Sequence, residues 1–278
     1  MSDIALVTCR VLPEPDPDEA LLLAACQEAG LKVVMAAWDD PRVDWNCFRI
    51  AVLRSCWNYY EDPQGFRAWL DRVAQLTTLW NPHSIVCENL DKRYLLRLVD
   101  LGVPIVPTHY LTPELRVEEV IREVGWDRFV IKPTISAGSY MTRLFSHEQV
   151  NEAQRFACSI LESREALIQP YMASVERGGE VAMVHIDGEF THCVLKDPRF
   201  TGSDEAVSVA FQPDASQAAT AATIIATVAD RVLYARVDLM KAESGEWLLS
   251  ELELVEPSLF FLQHQPALDR FIAALARM

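Results

Sequence analysis

Apolar residues along this chain follow two rhythms, and the balance between them changes partway. Early on, short apolar runs at 4–8, 31–37 and 48–54 alternate with helical patterns at 18–29 and 66–76. Runs that short read as buried strands, and the segments between them carry the three-to-four spacing of helices. Gly30 stands where the first helix should stop, a frequent residue just past a helix end. Strand and helix in alternation predict a small α/β domain on a parallel sheet, with ligands at the C-terminal ends of its strands.

Asn81-Pro82 breaks this rhythm. A helix is expected at 92–101, ended by Gly102 and followed by a connector holding Pro104 and Pro107. Strands at 129–132 and 141–145 should pair as a hairpin. Ser146 and Gln149 form a capping box for a helix at 147–161, and a short strand at 167–169 ends at Pro170. In the last third, 181–186 and 190–195 flank Asp187-Gly188, a hairpin turn. A polar stretch at 197–206 should be a mobile loop. An Ala-rich helix at 215–232 then leads into strands at 234–239 and 247–254. The expected architecture is α/β followed by α+β, with domains at 1–85, 86–168 and 169–278.

At 278 residues, 50% of them hydrophobic, the chain can bury a sizeable core. No secretory signal and no membrane-length apolar run is present, so a cytoplasmic protein without a membrane partner is expected. Seven scattered cysteines without a CxxC pair suggest free thiols, not a disulfide frame or a zinc site. The net charge of −15, with no basic stripe to offset it, argues against a nucleic-acid surface, though a few lysines can still bind phosphates locally.

The chemistry concentrates near the C-terminus, in WLLSELELVEP. Alternation of Leu248, Leu252 and Leu254 puts Glu251 and Glu253 on one strand face, where like charges repel unless a cation lies between them. Hard oxygen ligands of this kind suit Mg²⁺. A solvent-facing polar edge is the plainer alternative. Asp238, one strand earlier, would join them as a third carboxylate. Arg236, on its side of the strand, either pairs with the acids or clamps a transferring phosphate. Lys132 ends the strand of FVIKP, and Lys92 opens a helix, where a cation opposes the dipole unless an anion answers it. Arg54 and Lys196 are candidates for a substrate carboxylate, with a salt bridge inside the first domain as the alternative for Arg54. The six histidines show no metal-ligand spacing.

In order, NLDKRYLL, FVIKPTISAG, LIQPYM, GGEVAMVHIDGEF, ARVDLM and SELELVEP resemble the ATP-grasp superfamily, over most of the chain. The resemblance implies an ATP-grasp fold behind an N-terminal α/β domain, with ATP and Mg²⁺ as cofactors. It implies that Lys92 and Lys132 contact the ATP phosphates and that Gln169, Pro170, Tyr171 and Met172 form the adenine-facing hinge. Glu176 or Glu180 would take the ribose hydroxyls, and Asp238, Glu251 and Glu253 would hold magnesium. Lys132 and Arg236 would then carry the catalytic charge stabilisation. Two departures stand out: ISAGSYM holds a single glycine, and Glu253 stands where related ligases often have asparagine.

Within the superfamily the chain looks most like glutathione-synthetase-type small-molecule ligases. RSCWNYY and ELELVEP are closest to the ring-closing ligases of cycloserine biosynthesis. The implied reaction is an ADP-forming C–N ligation through an acyl phosphate, on an amino-acid-like small molecule, with ring closure of a ureido-amino acid as a sharper case. A nucleotide-binding regulatory module and a carboxylate kinase are the other readings. A homodimer is common among similar ligases, and the 197–206 loop is the candidate lid.

Overall fold

In a computed structural model, residues 3–197 and 206–278 are described. Strand β1 (Ile4–Thr8), helix α1 (Glu19–Glu28), β2 (Val33–Ala37), β3 (Ile50–Ser55), α2 (Pro63–Val73) and β4 (Thr78–Trp80) build the first domain. Its sheet runs β2-β1-β3-β4, all parallel. Both faces are covered, which is why its central strands read as unbroken apolar runs. Ile4, Leu6, Ile50 and Val52 face one core; Ala5, Val7, Ala51 and Leu53 face the other. The second core is filled by Trp38, Trp45, Phe66 and Trp69, with ring centroids 5.0–6.3 Å apart in edge and stacked pairs. Each such pair adds roughly 0.5–1.5 kcal/mol beyond its buried area.

Two helices, α3 (His83–Asn89) and α4 (Tyr94–Asp100), lead out of this domain. The first was not foreseen, because Asn81-Pro82 reads as a break; Pro82 in fact sits at the N-cap of α3. The second starts two residues later than expected. Lys92 lies in the turn between the helices, its N–H donating to the Thr134 carbonyl at 2.9 Å. The dipole argument for Lys92 therefore falls away.

The second sheet comprises β5 (His109–Leu111), β6 (Arg128–Pro133), β7 (Arg143–Ser146) and β8 (Ala166–Pro170), in the antiparallel order β5-β8-β6-β7. Its core is closed by α5 (Val117–Val124), which was not foreseen, and α6 (Val150–Leu161). The expected β6–β7 hairpin is present. The helix at 147–161 splits into a 3₁₀ turn and α6, and the Gln149 side chain accepts from the Ser146 N–H at 2.9 Å.

A short helix, α7 (Val175–Gly178), precedes the third sheet. This sheet contains β9 (Glu180–Ile186), β10 (Glu189–Lys196), β11 (Tyr234–Lys241) and β12 (Trp247–Glu253), in the antiparallel order β10-β9-β11-β12. Asp187 and Gly188 both take positive φ, 49° and 78°, as a two-residue hairpin turn requires. Helix α8 (Ala215–Ile225) covers this sheet and ends well before Val232, where the Ala-rich pattern had placed its end. Helix α9 (Gln265–Ala276) returns to the start of the chain. Its Leu268, Phe271 and Leu275 share one core with Ile4 and Leu6 of β1 and Val184 and Tyr234 of the third sheet.

Candidate active site

A cleft of about 420 Å³ opens where the second and third sheets meet the first domain. Its floor is β11 and β12. Asp238 pairs with Glu251 and Arg236 with Glu253 across the two strands, so all four side chains share a face. A bulge between Asp238 and Leu239 shifts the register there. Leu249 therefore joins Leu252 and Leu254 in the core, and Leu248, the leucine expected from alternation, stays half-buried. Bulges beside functional sites commonly re-aim a strand in this way.

β12 is the outer strand of its sheet, and an open edge would leave the carboxylates on a loose support. The preceding segments cover it. Asn89 Nδ2 donates to the Leu252 carbonyl and its Oδ1 accepts from the Leu254 N–H, both at 2.8 Å. The Leu252 N–H donates to Tyr94 Oη at 2.9 Å. Leu249 exchanges backbone bonds with Pro104 and Val106. Asn81 Nδ2 reaches the carbonyls of Tyr234 and Leu254 at 2.9 and 2.7 Å. These clamps escaped sequence reasoning. Their only signal is an Asn at the end of each connector, and nothing in the pattern says which edge they meet.

Four cations answer the acids. Lys132 Nζ lies 2.7 Å from Glu251 Oε1, and Lys92 Nζ 3.8 Å from Glu251 Oε2. Lys92 also donates to the Ser136 carbonyl at 2.9 Å. Lys196 Nζ is 2.5 Å from Asp238 Oδ2 and 2.9 Å from Glu180. Arg236 grips Asp238 through two bonds of 2.8 Å and also bonds Glu253. Repulsion between two carboxylates one strand repeat apart is about 2 kcal/mol at an intermediate dielectric. A charge-assisted hydrogen bond offsets a similar amount, so the floor is held together without a metal.

Burial alone would raise the Glu251 carboxyl, but Lys132 and Lys92 override it and hold the group well below the usual carboxylate range. Burial likewise opposes charge on Asp238, and Arg236 and Lys196 reverse that. At Glu253 burial wins. Despite Arg236 the carboxyl is pushed up, with Asp238 and Glu251 adding like charge, although its cleft side is 27% open. Burial and Arg236 disfavour the Lys196 ammonium, but Asp238, Glu180 and Glu253 keep it charged. Burial also pushes Glu256 up to about 7, against Lys92 and Arg236.

Among the sequence-predicted residues, Lys92, Lys132, Gln169, Pro170, Tyr171, Met172, Glu180, Lys196, Arg236, Asp238, Glu251 and Glu253 all line this cleft. Gly179, just before β9, has φ 69°, and a Cβ there would stand 3.0 Å from the Lys196 carbonyl oxygen. Only glycine lets Glu180 and Lys196 approach so closely. Two predictions need correction. Arg54 is 1% exposed and absent from the cleft wall; it donates to the Pro257 carbonyl at 3.2 Å and lies near the Tyr234 and Phe261 rings. A strand end in a doubly covered sheet points its side chain into the interior. Glu176 faces outward and bonds Arg128 at 2.9 Å, leaving Glu180 as the candidate for a ribose. The hinge is partly committed, since the Tyr171 N–H donates to the Arg128 carbonyl and the Met172 carbonyl accepts from Val175.

The opposite wall is aromatic and comes from RSCWNYY. Trp57 Nε1 donates to the Glu256 carbonyl at 3.0 Å. Tyr60 stacks on Tyr140 at 4.3 Å, and Arg164 lies over the Tyr140 ring at 5.3 Å. Glu256, which belongs to the acidic cluster of WLLSELELVEP but has no role assigned from sequence, lines the cleft between the two walls. The loop at 197–206 lies outside the described residues except at its ends, Asp197 and Ala206.

Three lysines and an arginine set against strand-borne carboxylates, at the meeting of two antiparallel sheets behind a parallel one, define the chain as an ATP-grasp ligase. A family model described as "D-cycloserine synthetase DcsG, N-terminal domain" matches residues 4–81. The cycloserine biosynthesis protein DcsG of Streptomyces lavendulae is 32% identical over 99% of this chain and 98% of its own length. The crystal structure of D-cycloserine synthetase DcsG superposes with a TM-score of 0.90 at 31% identity, covering 99% of both chains. An ATP-grasp RimK domain protein of Sphaerobacter thermophilus shares the fold at 18% identity and a TM-score of 0.71, over 98% of both chains. The chain belongs to the D-cycloserine synthetase family of ATP-dependent carboxylate–amine ligases. Structures of this fold have been solved with ATP, and with Mg and ADP.

Proposed function

We propose that this ligase closes a ring within one ureido-amino acid of the O-ureido-serine type, using Mg-ATP and releasing ADP and phosphate. The observation that carries the reading is the pairing of a full phosphate-type cation set with an aromatic wall in a single cleft. Likeness to DcsG at 32% identity over nearly the whole chain supports the substrate class.

The donor set fits the cofactors. Glu251 and Glu253 are the most open acids of the floor, at 24% and 27%, and offer the hard oxygens that Mg²⁺ prefers. Asp238 is 1% exposed with both oxygens bonded to cations, so it joins them only when Lys196 exchanges to another anion. Bound there, magnesium would neutralise charge on the transferring phosphoryl group. Val106, Val130, Met240 and Leu252 form the apolar slot for a purine beside Gln169 to Met172. The phosphates of ATP would take Lys92 and Lys132 from Glu251, so binding is an exchange of partners, not the burial of new charge.

The γ-phosphoryl group passes to the substrate carboxylate, giving a mixed anhydride and ADP. Lys132 and Arg236, held within reach of the same floor, stabilise the charge that builds on the transferring oxygens. The N–H nitrogen bonded to the side-chain oxygen then attacks the activated carbonyl, the C–N bond forms as that nitrogen gives up its proton to solvent, and phosphate leaves with the electron pair of the broken C–O bond. In a serine-derived substrate that attack closes a five-membered ring. An intramolecular nucleophile also needs no second amine site, since its effective concentration is already high. On this reading the three domains expected at 1–85, 86–168 and 169–278 supply the acid wall, the nucleotide cover and the charged floor.

The test is mass spectrometry of the protein incubated with Mg-ATP, O-ureido-serine and common amino acids. A ring-closed product formed with ADP supports the proposal. A linear dipeptide, or ADP formed with no product from the ureido substrate, overturns it.

A further inference from the structure

The histidines show no ligand spacing along the chain, yet α3 gives one of them a partner. Residues four apart on a helix share a face. His83 and Cys87 are therefore neighbours on α3, with Cys87 Sγ 3.3 Å from His83 Nε2. Asp71, in the last turn of α2, brings Oδ1 to 2.7 Å from the same nitrogen. The three donor atoms all lie within 4.8 Å of one another.

We propose that Asp71, His83 and Cys87 form a site for one borderline-soft divalent cation, of which Zn²⁺ is the type, completed by water. The donor chemistry selects the ion. Thiolate, imidazole and carboxylate together suit zinc, whereas Mg²⁺ takes oxygen and rejects sulfur. The spacing is close to what the ion needs. Tetrahedral bonds of about 2.0 Å to nitrogen or oxygen and 2.3 Å to sulfur set donor separations of roughly 3.3–3.6 Å. The sulfur–nitrogen distance already matches. The oxygen must withdraw by roughly 0.6 Å on that geometry, and Asp71, 51% exposed, is free to turn.

Access and charge are consistent with a site loaded from solvent. His83 is 34% exposed, and Cys87 is half-buried against the aromatic core of the first domain. Burial raises the Cys87 thiol, so cation binding releases its proton to solvent as the sulfur–metal bond forms. Arg67 lies 3.5 Å from Asp71 and is the one opposing charge among the described neighbours in ion-pair range; it must swing out, and at 51% exposure it can.

The position gives the ion a structural role. It would tie α2 to α3, whose last residue, Asn89, clamps the edge of β12 under Glu251 and Glu253. This site is independent of the ring-closing reading.

Cobalt(II) titration of the full chain tests it, with Mg-ADP present to occupy the cleft carboxylates. A sulfur-to-cobalt charge-transfer band should grow to one equivalent, vanish in Cys87→Ser, and survive in Cys47→Ser and Cys158→Ser. His83→Gln and Asp71→Asn should weaken binding more than about tenfold, since even outer-shell partners of a ligand are worth ~10–100-fold. Zinc should displace the cobalt and raise the Tm of the wild type more than that of Asp71→Asn, a surface change that leaves the core intact. Absence of the band in the wild type, or its persistence in Cys87→Ser, overturns the proposal.

Discussion

The two walls of the cleft are built on opposite principles. On the floor of β11 and β12 the acids face cations: Glu251 meets Lys132 and Lys92, Asp238 meets Arg236 and Lys196, and Glu253 meets Arg236, though burial still pushes its carboxyl up. On the aromatic wall Trp57, Tyr59 and Tyr60 bring rings and hydroxyls but no strong ion pair. A floor of paired ions can exchange partners with phosphates and magnesium at little net cost, which suits chemistry common to a whole superfamily. A wall of rigid aromatics distinguishes shapes, which suits the choice of acid. Substitutions on the floor should therefore damage turnover for any substrate, and those on the wall should alter which substrate is used.

The largest effect is expected at Glu251, the acid shared by both lysines. Glu251→Gln removes the charge that positions them and one of the two open carboxylates proposed for magnesium. ADP release should fall about 10²–10³-fold, the usual loss when one preorganised electrostatic group is removed. The fall should be the same in kcat for every acid tested. A loss confined to one acid would mean that the floor also reads the substrate, and the contrast between the walls would fail.

Glu256 lies on the boundary, and pH separates its two sides. Burial raises its folded pKa to about 7 from 4.5, so the folded state favours the protonated form. The stability this group contributes is complete below pH 4.5 and is lost as pH rises through 7. Glu256→Gln never ionises. Its stability relative to wild type should be flat below pH 4.5 and then rise by up to about 3 kcal/mol by pH 8. Denaturant melts at pH 4.5 and 8, without nucleotide or magnesium, check this. A pH-independent difference would place Glu256 with the compensated acids of the floor.

The sequence made the floor far more legible than the wall. Strand alternation put Glu251 and Glu253 on one face, and the short turn before β12 brought Asp238 beside them; both hold in the structure. These are local facts of period two. The bulge that moves Leu249 into the core has no such signature. Arg54 is a site candidate from its place at a strand end and Glu176 from the family resemblance, but side-chain direction decides otherwise: one turns into the core and the other toward Arg128. Asn81, Asn89 and Tyr94 act across more than 150 residues, and no local pattern announces a partner that far away.

Asn89→Ala tests whether the floor depends on that distant clamp. Two hydrogen bonds to the edge of β12 are lost, and one N–H and one C=O are left in a half-buried place. The expected cost is about 2–3 kcal/mol in denaturant unfolding. If β12 holds its acids independently, stability will fall without any change in the affinity for magnesium. Weaker magnesium binding, read by titrating ADP release, is the outcome expected here.

The smallest effect concerns a ring contact between the aromatic wall and the loop between β6 and β7, a loop that Tyr59 Oη also meets by donating to the Ser136 carbonyl at 3.5 Å. Tyr140 stacks on Tyr60 and sits under Arg164, while Ser136 in the same loop receives Lys92. The stack thus links the aromatic wall to the loop that receives Lys92. Losing an aromatic pair costs about 0.5–1.5 kcal/mol, a change of roughly 2–13-fold in an equilibrium constant. In Tyr140→Ala the KM for ATP should rise by up to that factor, because the loop carrying Ser136 is held less firmly against the wall. Tyr60→Ala should raise the KM for ATP equally and that for the acid as well, since Tyr60 itself lines the acid side. Steady-state kinetics with each substrate varied in turn separate the two. A change in the KM for the acid alone, in both variants, would assign the loop to the aromatic wall and leave Lys92 positioned by Glu251 without its help.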